Sequence, residues 1–151
     1  MKVQTNILLL NLFLGDKKEL TRIQGHNKNF ARIPSINGKY FLRSQQELSI
    51  ANYLIINGIE FEYEKDFNLN SAHYVPLSFD EETKEKKPWD SYRPDFYIKE
   101  ADIWYEHFAI DLDTKNSPFE GYVEQHDEKK EFHKKNNTNF FCTYMSDYYK
   151  D

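Results

Sequence analysis

The sequence predicts one α/β domain with an N-terminal extension, on three observations. Its 151 residues are enough for a single respectable core. Aromatics are plentiful, with 11 Tyr and 12 Phe against 5 Gly, which favours a strand-containing globular fold over a disordered or fibrous one. From residue 44 onward the hydrophobic periodicity reads helix, strand, strand, strand, helix, strand. That order describes an α/β sandwich and by itself names no function.

Residues 1–40 are the least legible, and 1–38 are read as the N-terminal extension. The run ILLLNLFLG at 6–14 follows Lys2 as a signal peptide would, but it is too short to span a bilayer and no small-x-small cleavage site follows. It reads as a buried helix or strand, in an extension that packs on the core or mediates dimerisation. Turn signals stand at Pro34 and Asn37-Gly38. The stretch SQQELSIANYLIINGI then places Leu48, Ala51, Leu54 and Ile55 at helical spacing, with Ser44 as N-cap and Asn57-Gly58 as stop. IEFEYEKDF at 59–67 alternates apolar residues with glutamates, the pattern of a half-buried strand. Residues 68–91 read as a polar excursion with one short strand at HYVPLSF. YRPDFYI and IWYEHFAI form two strands joined by the polar link KEAD, most simply an antiparallel hairpin. The stretch 119–135 predicts a mostly exposed helix, and NFFCTYM at 139–145 suits a buried strand.

A formal net charge of −5 argues mildly against a dedicated DNA-binding module, but lysines cluster locally at 84–87 and 129–135. Cys142 is the only cysteine, so no internal disulfide can form, which suits a reducing, cytoplasmic setting. No G-x-x-x-x-G-K-[ST] loop is present, so the chain carries no ATPase motor of this kind, and no membrane partner is expected.

The unusual feature is Asp95 and Glu106, two carboxylates inside aromatic strands. A short link brings them face to face, where they repel unless one is protonated or a cation lies between them. A hard divalent ion such as Mg²⁺ suits a few carboxylates plus water and phosphate oxygens.

Together, S-x-x-E on a helix, NGI-x-F-x-YE on a strand, YRPDFYI and YEHF resemble the PD-(D/E)xK nuclease superfamily. More narrowly, they are similar to the restriction-endonuclease-like domain of helicase-IV-like superfamily-1 DNA helicases. The resemblance covers roughly residues 39–146 and implies a mixed central sheet flanked by helices in αβββαβ order. It further implies a metal-dependent deoxyribonuclease with Mg²⁺, or Mn²⁺ in its place, acting on DNA. By position, Asp95 would be the central ligand and Glu106 the second, beside the His107 carbonyl. Glu47 would complete the acidic cluster. The superfamily's lysine position is filled by Phe108; in the helicase-linked group a lysine on the following helix stands in, which here matches Lys129. Lys130 points roughly 100° away on a helix, so only one of the two should face the site. His133, four residues on, could contact the DNA backbone, with Lys130 and Arg93 as further contacts.

Plainer readings stand beside these. Glu47 closes a capping box with Ser44, Asp95 and Glu106 could face solvent, and the lysines could be a solvated helix face. Arg93 could instead pair with Glu64 or Asp111. Three functions follow: a nuclease, a cleavage-inactive DNA-binding module, or a protein-interaction domain that regulates a helicase or defence complex. The chain is expected to be a helicase domain or a small stand-alone nuclease, and homodimerisation stays open.

Overall fold

The computed structural model describes residues 32–148, which fall into two compact units that divide after Glu60. The apolar run at 6–14 lies outside the described residues.

In the first unit, β1 (Ile33–Pro34) and β2 (Phe41–Leu42) pair antiparallel across a turn at Asn37-Gly38. Gly38 takes a φ of 71°, a left-handed conformation that glycine adopts without steric cost. Helix α1 (Gln45–Ile56) follows, buries Leu48, Ala51 and Leu54, and ends in a Schellman motif. There the Gly58 N–H donates to the Ile55 carbonyl (3.1 Å) and the Ile59 N–H to the Leu54 carbonyl (2.9 Å). Asn52 Oδ1 accepts the Ile36 N–H at 2.8 Å and ties the hairpin to the helix.

The second unit is a mixed four-stranded sheet in the order β3-β6-β7-β8: Glu62–Tyr63, Phe96–Ile98, Ile103–Phe108 and Phe140–Tyr144. β3 and β6, and β6 and β7, pair antiparallel, and β8 runs parallel to β7. The crossover between the parallel pair is α2 (Tyr122–Lys135), as parallel pairing requires. A four-residue helix, α3 (Met145–Tyr148), closes the described chain. The architecture is therefore α/β with a mixed sheet.

Most departures from expectation have local causes. The 59–67 strand keeps its alternating burial, with Phe61 buried and Glu62 exposed, but its ladder spans only two residues. Glu64 adopts a φ of 51° and breaks the extended run. The polar excursion contains a second hairpin, β4 (Leu77–Phe79) with β5 (Lys86–Pro88). Helix α2 starts at Tyr122 rather than 119, behind Gly121 at φ 87°. Strand β8 lies at the edge of its sheet, and Phe141 is 53% exposed.

Sheet pleating sorts the side chains. One face of the sheet carries Phe96, Tyr105 and Phe141, whose rings pack across three strands with centroids 5.6 and 5.1 Å apart. The other presents Trp104, Glu106 and Phe108 toward α2, with Phe67 bridging Trp104 and the fully buried Phe132. Asn136, at the C-cap of α2, accepts the His73 and Tyr74 N–H groups and donates to the Tyr74 carbonyl, which pins the excursion to the helix end. Among the described residues, no helix is long and apolar enough to cross a membrane.

Candidate active site on strands β6 and β7

The β6–β7 register pairs Phe96 with Tyr105. Continued by one residue, it sets Asp95 opposite Glu106. The hairpin is closed by Asp102 in the left-handed region (φ 49°), with the Tyr97 hydroxyl donating to its carboxylate at 3.0 Å. Asp95 is half-buried and its Oδ2 accepts the His107 N–H at 2.7 Å, so a backbone donor on the neighbouring strand orients it.

Glu106 is 2% exposed. A carboxylate this deep needs charge-assisted partners. It has two, and both bond to Oε1. The Tyr92 hydroxyl donates at 3.0 Å, and the Lys129 ammonium lies at 2.9 Å. Lys129 comes from α2, and its Nζ is 5.7 Å from the ring centres of both Tyr92 and Phe108. Burial alone would lower the Lys129 pKa, but Glu106 and then Asp95 outweigh it and raise it above the ordinary lysine value. Burial, reinforced by Glu106, pushes the Tyr92 phenol far above its usual range, so it stays a donor. Tyr122, raised chiefly by burial and also by Asp95 and Glu106, accepts the Ala109 N–H at 2.9 Å just past β7.

Behind Tyr92 stands His133, 1% exposed and stacked on Phe140 at 4.2 Å. Its Nε2 is 3.1 Å from the Tyr92 hydroxyl and its Nδ1 is 2.7 Å from Thr138 Oγ1. Because the Tyr92 proton goes to Glu106, Nε2 must carry the histidine's proton and Nδ1 must accept from Thr138. Burial, aided by Lys129, lowers the His133 pKa to about 4, so the ring is neutral near pH 7. His107, on the opposite face of β7, bonds Thr143 Oγ1 at 2.8 Å and is likewise lowered by burial to about 4.

The sequence-derived candidates thus separate. Asp95, Glu106 and Lys129 come together. His133 is corrected: a side chain closed off between Tyr92, Phe140 and Thr138 cannot reach a phosphate backbone. Arg93 pairs with neither Glu64 nor Asp111; its Nε donates to Asp66 at 2.6 Å, where both side chains are largely exposed. Lys130 is exposed on α2 beside Asp127 and Lys134. In the first unit, Glu47 sits at the third position of α1. Its amide donates to Ser44 Oγ (3.1 Å) and its Oε2 accepts the Arg43 N–H (3.2 Å), a capping box shifted by one residue. Tyr92 was not singled out from sequence, because its partners come from β7 and two turns of α2.

Two in-register carboxylates face one ammonium, so the group keeps a net negative charge, and both bonds to Glu106 leave its Oε2 aside. That fits a hard cation of the Mg²⁺ kind, which uses one or two carboxylates and completes its shell with water and phosphate oxygens. Among the described residues, no group of three or more His, Cys, Asp or Glu side chains is placed to hold a metal ion. An all-protein cage is therefore not what this cluster offers. No protein-family model, curated protein or solved structure matches the chain.

Proposed function

We propose that the chain is a divalent-metal-dependent deoxyribonuclease domain of the PD-(D/E)xK type, hydrolysing phosphodiester bonds, with Asp95, Glu106 and Lys129 as its reacting groups. One observation carries the reading. The Lys129 ammonium lies 2.9 Å from Glu106 and 5.7 Å from the ring of Phe108, the residue at the motif's lysine position. A lysine delivered from α2 into that space is what a displaced motif requires. The element order supports a restriction-endonuclease-like core, since α1, β3, β6, β7, α2 and β8 follow in αβββαβ sequence with β4–β5 as an insertion.

In this reading Asp95 and Glu106 hold Mg²⁺ or Mn²⁺, which when bound supplies water activation and neutralises charge on the phosphate. The His107 amide fixes Asp95, and Tyr92 fixes one oxygen of Glu106. Lys129 orients the attacking water or offsets the developing charge. Exposed Lys130 and Arg93 are available to the DNA backbone. Glu47, which the resemblance puts in the acidic cluster, also closes the cap of α1. A helicase domain or other DNA repair or defence component is the natural partner.

Nicking of supercoiled DNA in Mg²⁺ by Lys129→Met and Lys130→Met tests the assignment. Loss in the first variant only, with both folded, is expected; equal activity in both would remove Lys129 from the site.

The same ion pair favours a second reading. Lys129 already neutralises Glu106, so the buried carboxylate is stable without a metal, as in a nuclease fold that retains binding and has lost cleavage. Salt-sensitive DNA binding with no cutting in any divalent ion would identify that case.

A further inference from the structure

We propose that the cleft beside Lys129 is a subsite for an unpaired nucleobase, making single-stranded or locally unpaired DNA the preferred substrate. This deepens the nuclease reading and rests on it for the adjoining chemistry, although the subsite can be tested without cleavage. The cleft, about 200 Å³, is lined by Ser78 on β4, Trp89 just past β5, Tyr92, and Gln125, Glu128 and Lys129 of α2. Tyr92 and Lys129 are the two residues that bond Glu106 Oε1, so a group lodged here lies against the two side chains that hold the reacting carboxylate.

The lining selects a base over a phosphate. Its one cation, Lys129, is balanced by Glu128 and already paired with Glu106, so no surplus positive charge remains for a phosphodiester. What it offers is a π-surface with polar edges. The half-exposed Trp89 indole rests on Tyr92 (5.1 Å) and on the buried Phe132 (5.6 Å), which fixes it as a platform. Bases stack on such platforms with little regard to identity. Gln125, Glu128 and Lys129 stand at i, i+3 and i+4 on one face of α2. The amide both donates and accepts, and the carboxylate accepts from a base amino group. In a duplex, the base faces are stacked and the Watson–Crick edges paired, so a base must leave the helix to use these groups. A second cleft of about 380 Å³ also touches Tyr92, but its charged residues are Asp66 and Asp90 and it does not include Lys129.

The test is anisotropy binding of the full chain to one mixed-sequence oligonucleotide, as a single strand and as a blunt duplex, in EDTA. Wild type should prefer the single strand. Trp89→Ala should weaken single-strand binding roughly tenfold and leave duplex binding unchanged. Gln125→Ala, on an exposed helix face, should do so by a smaller factor with the fold intact, which keeps the test decisive if Trp89→Ala does not fold. Equal affinity for the two DNAs, or equal losses on both in the Gln125 variant, overturns the subsite. Parallel incubation in Mg²⁺ separates the two claims. Trp89- and Gln125-dependent single-strand binding without cutting keeps the subsite and removes the nuclease; cutting without strand preference does the reverse.

Discussion

A glutamate at 2% exposure is the residue on which this molecule turns. Burying a charge costs several kcal/mol unless it is paired and hydrogen-bonded, and Glu106 is held by Lys129 and Tyr92. Lys129→Met leaves that charge uncompensated and should cost about 3–5 kcal/mol in urea denaturation. Adding Glu106→Gln should recover much of the loss while cleavage stays off. Tyr92→Phe removes a donor from Glu106 and an acceptor from His133 with almost no change in shape. It should cost about 1–3 kcal/mol and reduce the cleavage rate. An unchanged denaturation midpoint would mean that the hydroxyl contributes nothing. At this scale Asp95 and Glu106 stood out as carboxylates in aromatic strands, whereas Lys129 was pointed to only by the family resemblance. It misjudged His133 because helical spacing gives the face a residue shares with Lys129, but not the depth at which the helix end sinks against Phe67 and Phe140. Tyr92 stayed hidden among many tyrosines.

Elements with strong punctuation were legible. Helix α1 runs from its Ser44 cap to Gly58 in the left-handed region (φ 67°), as the spacing predicts. Ser44→Ala should cost about 1 kcal/mol of stability and leave cleavage unchanged, measured by denaturation and nicking in parallel. A loss of cleavage in that folded variant would tie the cap, and Glu47 with it, to the reacting site. The β6–β7 hairpin was equally plain, because two aromatic runs flank a short polar link. Strand β5 was not, since Lys86 and Lys87 carry no strand signal and the hairpin is held by pairing with β4 alone. Strand β8 was found, but its apolar content hid its edge position: Phe140 packs on His133 while Phe141, one residue on, faces out.

For the whole molecule, His133 and His107, both lowered by burial, set an acid limit. The folded His133 pKa is about 4, below its ordinary 6.5, so the unfolded chain takes up the proton first as pH falls. Stability from this group is complete above about pH 6.5 and is lost progressively toward about pH 4, on the order of 3 kcal/mol in all. Urea denaturation at about pH 7 and about pH 5 should show the decline, and His133→Phe should shrink it to the share that His107, also lowered to about 4, contributes. The net charge of −5 would confine the proposed nucleic-acid contact to local surfaces such as the α2 lysines, so such binding should be weak and salt-sensitive. The central claim is that Asp95 and Glu106 hold a divalent ion against DNA. The most direct measurement is nicking of supercoiled DNA by wild type and Asp95→Asn in Mg²⁺, Mn²⁺ and EDTA, with folding checked by circular dichroism. Metal-dependent nicking that disappears in the folded variant is the predicted result. Nicking that survives Asp95→Asn, or a folded wild type that cuts nothing in either ion, would contradict it.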